Sequence, residues 1–504
     1  MPQRPPRKRS GDIRRPVNVL FVSAEVAPFA KTGGLGDVGA ALPRALGARG
    51  HEVRVVMPMY ARVHAPGRTF DPVVGETVLR LGGARIVFSI HRGKLPDSEV
   101  PVYFVRCPRL YDRPGVYTSD QDEHIRFAVL SWASLILCQR LGFRPDIVHS
   151  NDWQTSLIPI LLKTSFAWDR LFAGTRTVLT IHNIGHQGTF GANVIGDIGL
   201  GNASHLFHQD QLKAGRANFL LTGILYANAI TTVSPTYARE IQTPEHGVGL
   251  DGFLRQRRDV LFGILNGIDE GEWSPDRDSR IPHTYSVDDL SGKERNKQAL
   301  LESAGLPYDA RIPVVGIVSR LAWQKGFDLC MNVLPRLLAK RSSQLVVLGT
   351  GEPKYEQLFS SLCQRFPKQV AYRKGFSEPL AHLIEAGADM FLMPSRYEPC
   401  GLNQMYSLRY GTPPIVHRTG GLADTVAPFD PARRTGNGFV FEHFDDSGLA
   451  YGIGRAMSVW GSGEGADREQ WRALQENGMR ARLGWDERVA AYEQVYRMIA
   501  PGRS

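Results

Sequence analysis

Three blocks set charge beside glycine, a combination suited to phosphate or sugar. Ser319-Arg320-Leu-Ala-Trp-Gln324-Lys325-Gly326 follows the apolar run 314–318. Arginine offers a planar fork and lysine a point charge, which together suit a diphosphate. A solvated charged loop is the competing reading. Pro394-Ser-Arg-Tyr-Glu398-Pro-Cys400-Gly401-Leu402-Asn403-Gln404 follows the run 390–393. Glu398 has the chemistry to accept hydrogen bonds from sugar hydroxyls, and the amides after it to face an anion. A glutamate that only answers a helix dipole is the plainer alternative. Lys31-Thr-Gly33-Gly34-Leu-Gly-Asp37 has an echo in Arg418-Thr-Gly-Gly-Leu-Ala-Asp424. Glycines let backbone approach a ligand, and free amides at a helix start favour an anion. Ordinary turns leading into helices remain the alternative for both.

Further candidates stand at other strand ends. Thr180-Ile-His182-Asn183-Ile-Gly185 carries a histidine, a residue more often structural than catalytic. His149-Ser-Asn-Asp152-Trp153 carries an acid that either acts on a substrate or caps the next helix. Leu265-Asn266-Gly-Ile-Asp269 holds Asn-Gly, itself a strong turn signal. No G-x-x-x-x-G-K-[ST] loop, nicotinamide fingerprint, HExxH or paired cysteine is present, so neither metal nor redox chemistry is indicated.

These residues need elements to hold them. Short apolar runs at 17–22, 53–57, 102–105, 147–149, 177–181 and 230–233 read as strands, with a helix over 36–49. Runs at 314–319, 345–348, 370–372, 390–393 and 415–416 repeat the pattern. Alternation with helical stretches argues for two mostly parallel α/β sheets. The stretch 261–312 reads as irregular, and the domain switch is expected near 259–265. The expected domains are a disordered basic tail (1–16), an N-terminal Rossmann-like acceptor-side domain (17–260) and a C-terminal Rossmann-like nucleotide-sugar domain (261–480). A C-terminal helix (481–504) completes them. Its apolar stripe is Trp485, Val489, Tyr492, Tyr496 and Ile499.

Composition is ordinary for a globular protein: 504 residues, 42 % hydrophobic. Half of the formal +10 charge sits in the tail, with six Arg/Lys and one Asp. The mild remainder suits phosphate binding better than DNA. Five scattered cysteines read as reduced thiols of a cytoplasmic protein. The longest apolar run, 127–138, is too short for a bilayer. The basic tail has no apolar core of a signal peptide.

Taken together, Lys31-Thr-Gly-Gly-Leu, Ser319-Arg-Leu with Gln324-Lys-Gly, and Arg396-Tyr-Glu-Pro-Cys-Gly-Leu resemble the bacterial glycogen synthases and plant starch synthases. Val19-Leu-Phe-Val-Ser-Ala-Glu-Val-Ala-Pro-Phe-Ala is similar to the family's opening, and Arg418-Thr-Gly-Gly-Leu-Ala-Asp-Thr-Val to its late motif. The resemblance runs over residues 17–500. It implies two Rossmann-like domains facing across a cleft that closes on ligand, with the last helix crossing back to the N-terminal domain. The implied reaction is retaining transfer of glucose from ADP-glucose to an α-1,4-glucan, with no cofactor, no metal and no membrane. Nucleic acid is not an expected partner, and the oligomeric state is left open. Arg320 and Lys325 match the pair on the donor's phosphates. Lys31, with Gly33 and Gly34, matches the glycine loop. His182 and Asn266 match residues near the glucose 6-hydroxyl, and Asp152 matches the acid of the His-Asp-Trp block. Glu398 matches the glutamate at the 3- and 4-hydroxyls. Gly401, Leu402 and Asn403 match the loop whose amides meet glucose or phosphate, and Cys400 a cysteine beside the donor that is not expected to be a nucleophile.

There are departures. Phe376 stands where relatives often have tyrosine near the adenine; it can stack but lacks the hydroxyl. Tyr406 occupies the position of a second glutamate in the wider superfamily, so a double-carboxylate mechanism is not supported. Same-face attack as ADP departs is the expected route to retention. UDP-glucose or a smaller acceptor, a non-catalytic glucan-binding protein and a pyridoxal-phosphate phosphorylase are the rival readings.

Overall fold

The computed structural model describes residues 16–64, 67–340, 343–461 and 465–500. The tail expected over 1–16 therefore lies, but for Pro16, outside the described residues.

Contacts group the chain into two units: residues 1–179, 186–229 and 493–504, and residues 180–185 and 230–492. From sequence the change is expected near 259–265; by contacts it falls at 229/230.

One sheet has nine strands, ordered Leu261–Gly263, Ala229–Thr232, Arg176–Ile181, Ile147–Asn151, Asn18–Val22, Glu52–Pro58, Pro101–Arg106, Ala84–Lys94 and Asp71–Leu81. The last two strands depart from the expected parallel pattern. They form an antiparallel hairpin, turned by Gly82 and Gly83 with φ of 53° and 81°. A Gly-Gly pair between apolar runs is a hairpin signal because both residues accept positive φ. The stretch expected to be irregular contains the strand Leu261–Gly263 and the helix Ser291–Ala304. The helix is polar on most positions, which hides it from an apolar pattern.

The second sheet has six strands, ordered Val370–Lys374, Gln344–Gly351, Val314–Leu321, Met390–Met393, Pro414–His417 and Phe439–Phe441. All its pairings are parallel. Period-two alternation divides each run between two cores. Val315, Ile317, Leu345, Val347, Met390 and Leu392 face one core. Helices Phe327–Ala339, Pro353–Arg365 and Asp446–Trp460 cover it. Val314, Val346, Leu348, Phe391 and Met393 face the other, under helices Ser291–Ala304 and Glu378–Gly387. Strands buried on both faces explain why these runs read as continuously apolar.

The helix Trp485–Ile499 begins in the second unit and ends in the first. Val489, Tyr492 and Tyr496 of its stripe are buried, as is Val495, while Trp485 and Ile499 are half-buried. In the first unit Tyr496 Oη lies 2.6 Å from His149 Nδ1. Glu493 is 2 % exposed and takes Arg49 through both oxygens, at 2.6 and 3.1 Å. His51 and Arg497 also reach it. Burial alone would raise this carboxyl, but the bonds from Arg49 and His51 outweigh it and hold the pKa below the ordinary value. Its stabilisation is present above the unfolded value and lost as pH falls through the folded one. Glu493→Gln is expected to cost about 2 kcal/mol at pH 7. Urea unfolding at pH 7 and pH 3.5 checks this: the gap between wild type and variant should narrow in acid.

Candidate active site

In the second sheet, strands Val314–Leu321 and Met390–Met393 are parallel neighbours. The chain leaves the first toward one edge and the second toward the other. Open α/β sheets bind ligands beyond the strand ends at such a switch point. The Arg320–Lys325 block starts at the end of the first strand and the Pro394–Gln404 block follows the second, so topology brings them together.

Local bonds then lock them. Lys325 Nζ lies 2.6 Å from Glu398 Oε2, and Ser395 Oγ donates to the same oxygen at 2.9 Å. Both members of the pair are largely buried. Gly326 has φ of 72°, and a Cβ there would fall 1.9 Å from the Pro394 carbonyl. Only glycine lets Lys325 come this close. The Arg396 amide donates to Gln324 O at 2.9 Å. The Arg396 guanidinium pairs with Asp328 at 2.8 Å and lies between Trp323 and Phe444. Arg320 is exposed and has no ion pair among the described residues.

The late glycine loop packs on the same segment. The Gly421 amide donates to Glu398 O at 3.0 Å. A Cβ on Gly420 would fall 1.9 Å from Glu398 O, and one on Gly421 2.0 Å from Cys400 O. The Gly420 amide donates to Glu240 Oε1 at 2.9 Å, and Thr419 Oγ1 reaches it at 3.1 Å. Asp424 in turn accepts from Thr236 N and Oγ1 at 2.8 and 2.7 Å. The anion expected at this turn is therefore one of the chain's own carboxylates.

Around them stand the other candidates of the second unit. Asn403 Nδ2 donates to Val318 O at 2.6 Å, tying its loop to the strand that carries Arg320. Gly401, with φ of 73°, and Leu402 are half-buried before it. Burial lifts the Cys400 thiol to about 12, against the pull of a bond with the Asn266 main chain. Such a thiol is no nucleophile at neutral pH. Asn266 is buried, and its Oδ1 has no partner among the described residues. His182 follows strand Arg176–Ile181. The packing around it drives its pKa down to about 3, so the ring is neutral. In its loop Asn183 Oδ1 accepts from the Gly185 amide at 2.9 Å. A Cβ on Gly185 would lie 3.7 Å from the Tyr397 hydroxyl, so this loop adjoins the Glu398 segment. Phe376 stands apart, 81 % exposed after strand Val370–Lys374.

Lys31, Gly33, Gly34 and Asp152 belong to the first unit. Lys31 pairs with Asp37 at 2.6 Å and remains half-exposed. Glu25 bonds the Thr32 amide. It also accepts from Thr32 Oγ1 at 2.7 Å, the Gly33 amide at 3.3 Å and Tyr117 Oη at 2.5 Å. A Cβ on Gly33 would meet nothing within 4 Å, so no packing demands glycine there. Asp152 opens the helix Asp152–Thr155 with φ of 53°, a left-handed value that strains a residue with a side chain. The N-cap position is Asn151, so Asp152 is the first helical residue and not the cap.

Sequence reasoning missed Glu25, Glu240, Ser395 and Tyr397. Glu25 lies inside the opening motif 19–30, and Ser395 and Tyr397 inside the block 394–404, so these three had that signal. Glu240 had none, because a half-buried carboxylate that serves distant amides leaves no local pattern.

Residues 18–256 match the starch synthase catalytic domain family, and residues 304–474 match the glycosyl transferases group 1 family. A glycogen synthase of Anaeromyxobacter dehalogenans is 47 % identical over 493 residues, 97 % of this chain and 100 % of that protein. One from Thermosipho melanesiensis is 43 % identical over 95 % of this chain and 98 % of that protein. The catalytic domain of starch synthase IV from Arabidopsis thaliana, solved with ADP and acarbose, superposes with a TM-score of 0.89 at 34 % identity. That match covers 96 % of this chain and 100 % of that one.

A neutral His182 has a measurable consequence. The unfolded chain protonates this ring near pH 6.5 and the folded chain only near 3. Its contribution to stability is therefore full above 6.5 and falls as pH drops below it. The His182 ring resonance, assigned with His182→Gln, is expected not to move between pH 8 and pH 5. A midpoint between 6 and 7 would show that the ring charges in the folded state.

Proposed function

The chain belongs to the glycogen synthase family, and from that premise we propose that it transfers glucose from ADP-glucose to the non-reducing end of an α-1,4-glucan. ADP is released and the anomeric configuration retained. The reading carries ADP-glucose and glycogen as partners and the cytoplasm as the place of action.

The observation that supports it most is the charge arrangement at the switch point of the second unit. Arg320 is exposed without an ion-pair partner among the described residues, and Lys325 is held close by Glu398. A diphosphate entering here meets the arginine's open fork and competes with Glu398 for the lysine. Fixed cations placed where a leaving group gains charge stabilise the transition state without reorganising. Once Lys325 turns to phosphate, Glu398 is free to accept from sugar hydroxyls. The Asn266 oxygen is a buried acceptor, and leaving it unbonded is costly, so it favours a ligand that brings a hydroxyl. A neutral His182 suits the same task, since it offers one donor and one acceptor and no proton to the leaving group.

Gly401, Leu402 and Asn403 present backbone beside the donor, while Cys400 fills space. The exposed Phe376 offers a stacking face for the adenine. The ADP held by the Arabidopsis relative supports adenine over uracil. Roles for Lys31, Gly33, Gly34 and Asp152, which lie in the first unit, rest on the family's motifs. Lys31 is a cation on a glycine loop, and Asp152 an acid on a strained backbone.

Glu398 accepts from Lys325 and Ser395 before the donor binds, and from sugar hydroxyls afterwards, so hydrogen bonds occupy its oxygens in both states and make it a poor nucleophile. This supports departure of ADP with attack by the acceptor hydroxyl on the same face. The leaving phosphate takes the proton.

The test is glucose incorporation into glycogen with ADP-glucose and UDP-glucose in parallel. ADP-glucose activity is expected, and Arg320→Ala and Lys325→Ala should each lose about 10²–10³ in kcat. Activity with UDP-glucose alone would overturn the donor. No incorporation by folded protein would overturn the reaction.

A further inference from the structure

A second group of chemistry-bearing side chains lies outside the residues used above. A ring nitrogen of His382 and one carboxylate oxygen each from Glu272 and Glu378 lie within 4.8 Å of one another. Glu378 and His382 are one turn apart on the helix Glu378–Gly387, so they share a face. Glu272 comes from the turn after Asp269, its amide donating to Asp269 O at 3.2 Å.

His382 is the telling member. It is fully buried, and Trp273 stacks on its ring at 3.7 Å, fixing the plane. Its Nδ1 lies 2.7 Å from Asp278 Oδ2, an oxygen that also accepts from Tyr410 Oη at 2.6 Å. Nδ1 is therefore the nitrogen that donates to the carboxylate, which leaves Nε2 for another partner. Nε2 is buried and has no partner among the described residues. A carboxylate that orients histidine through one nitrogen and leaves the other bare is the usual support behind a metal ligand. The two glutamates are partly open to solvent, which leaves an entry path and room for water ligands. Arg280 already stands at 3.1 Å from Glu272 and 3.8 Å from Glu378. It offsets their charge but gives nothing to Nε2.

We propose that His382 Nε2, Glu272 and Glu378 form a site for a divalent transition-metal ion. One imidazole and two carboxylates with water suit Zn²⁺ or Mn²⁺ better than Ca²⁺ or Mg²⁺, which prefer all-oxygen sets. The ion ties the 269–273 turn to the helix Glu378–Gly387 and takes no part in the sugar transfer proposed above.

Zn²⁺ is the probe. The untagged full chain is stripped with a chelator, dialysed, and titrated with Zn²⁺ against a chromophoric competitor, with thermal unfolding measured alongside. One Zn²⁺ per chain is expected, with Tm raised by about 5 °C or more at a hundredfold excess over Kd. Glu272→Gln and Glu378→Gln change partly exposed side chains and leave the fold intact. Each is expected to weaken binding at least about tenfold and to shrink the Tm rise. Absence of stoichiometric binding, or binding unchanged in both variants, would overturn the site. Neither readout depends on sugar transfer, so failure here and failure of the proposed reaction are separate results.

Discussion

The second unit depends on one topological constraint. Strands Val314–Leu321 and Met390–Met393 are parallel neighbours, and the chain leaves them toward opposite edges. The space beyond their ends is left uncovered by crossover connections, and two charged loops meet there. A lysine and a glutamate from those loops then sit 2.6 Å apart with little solvent around them. Such a pair contributes little net stability by itself, since desolvation offsets much of the attraction. In the proposed reaction its value lies in holding the two groups in register until a stronger anion arrives.

Glycine has different work in the two echoed loops. At Gly420 and Gly421 any side chain would strike the backbone of Glu398 or Cys400, so the residues are there for close packing. At Gly33 there is open space. Both loops nevertheless give amides to a carboxylate of the chain, Glu25 in the first and Glu240 in the second. The similarity of the two halves thus extends from residue order to how a turn into a helix is satisfied.

The C-terminal helix shows how a chain end becomes part of the architecture. Its apolar stripe buries tyrosines, but the bond from Arg49 to Glu493 and that between Tyr496 and His149 give its last turns a specific seat within the first unit. Apolar burial is non-directional and would tolerate rotation, whereas a buried carboxylate needs its cation in one place.

The parallel strands, their restart in a second half, and the three motif blocks with their family were legible in residue order alone. These are local properties: apolar runs of strand length, and charged residues set beside glycine. Arg320, Lys325 and Glu398 were legible because each lies at or within a few residues of a strand end, and Asn403 because it closes the same motif as Glu398. The Asp71–Lys94 hairpin and the helix Ser291–Ala304 were not, the first because its strands mix buried and exposed positions and give no long apolar run, the second because most of its positions are polar. Packing in three dimensions put Glu240 in the second glycine loop, left the Asn266 oxygen without a partner among the described residues, and keeps His182 neutral. It also brought Glu272 to His382. Each of these depends on which distant segments exclude water around a polar group. No window of sequence carries that information, because desolvation and hydrogen-bond satisfaction are set by neighbours in space.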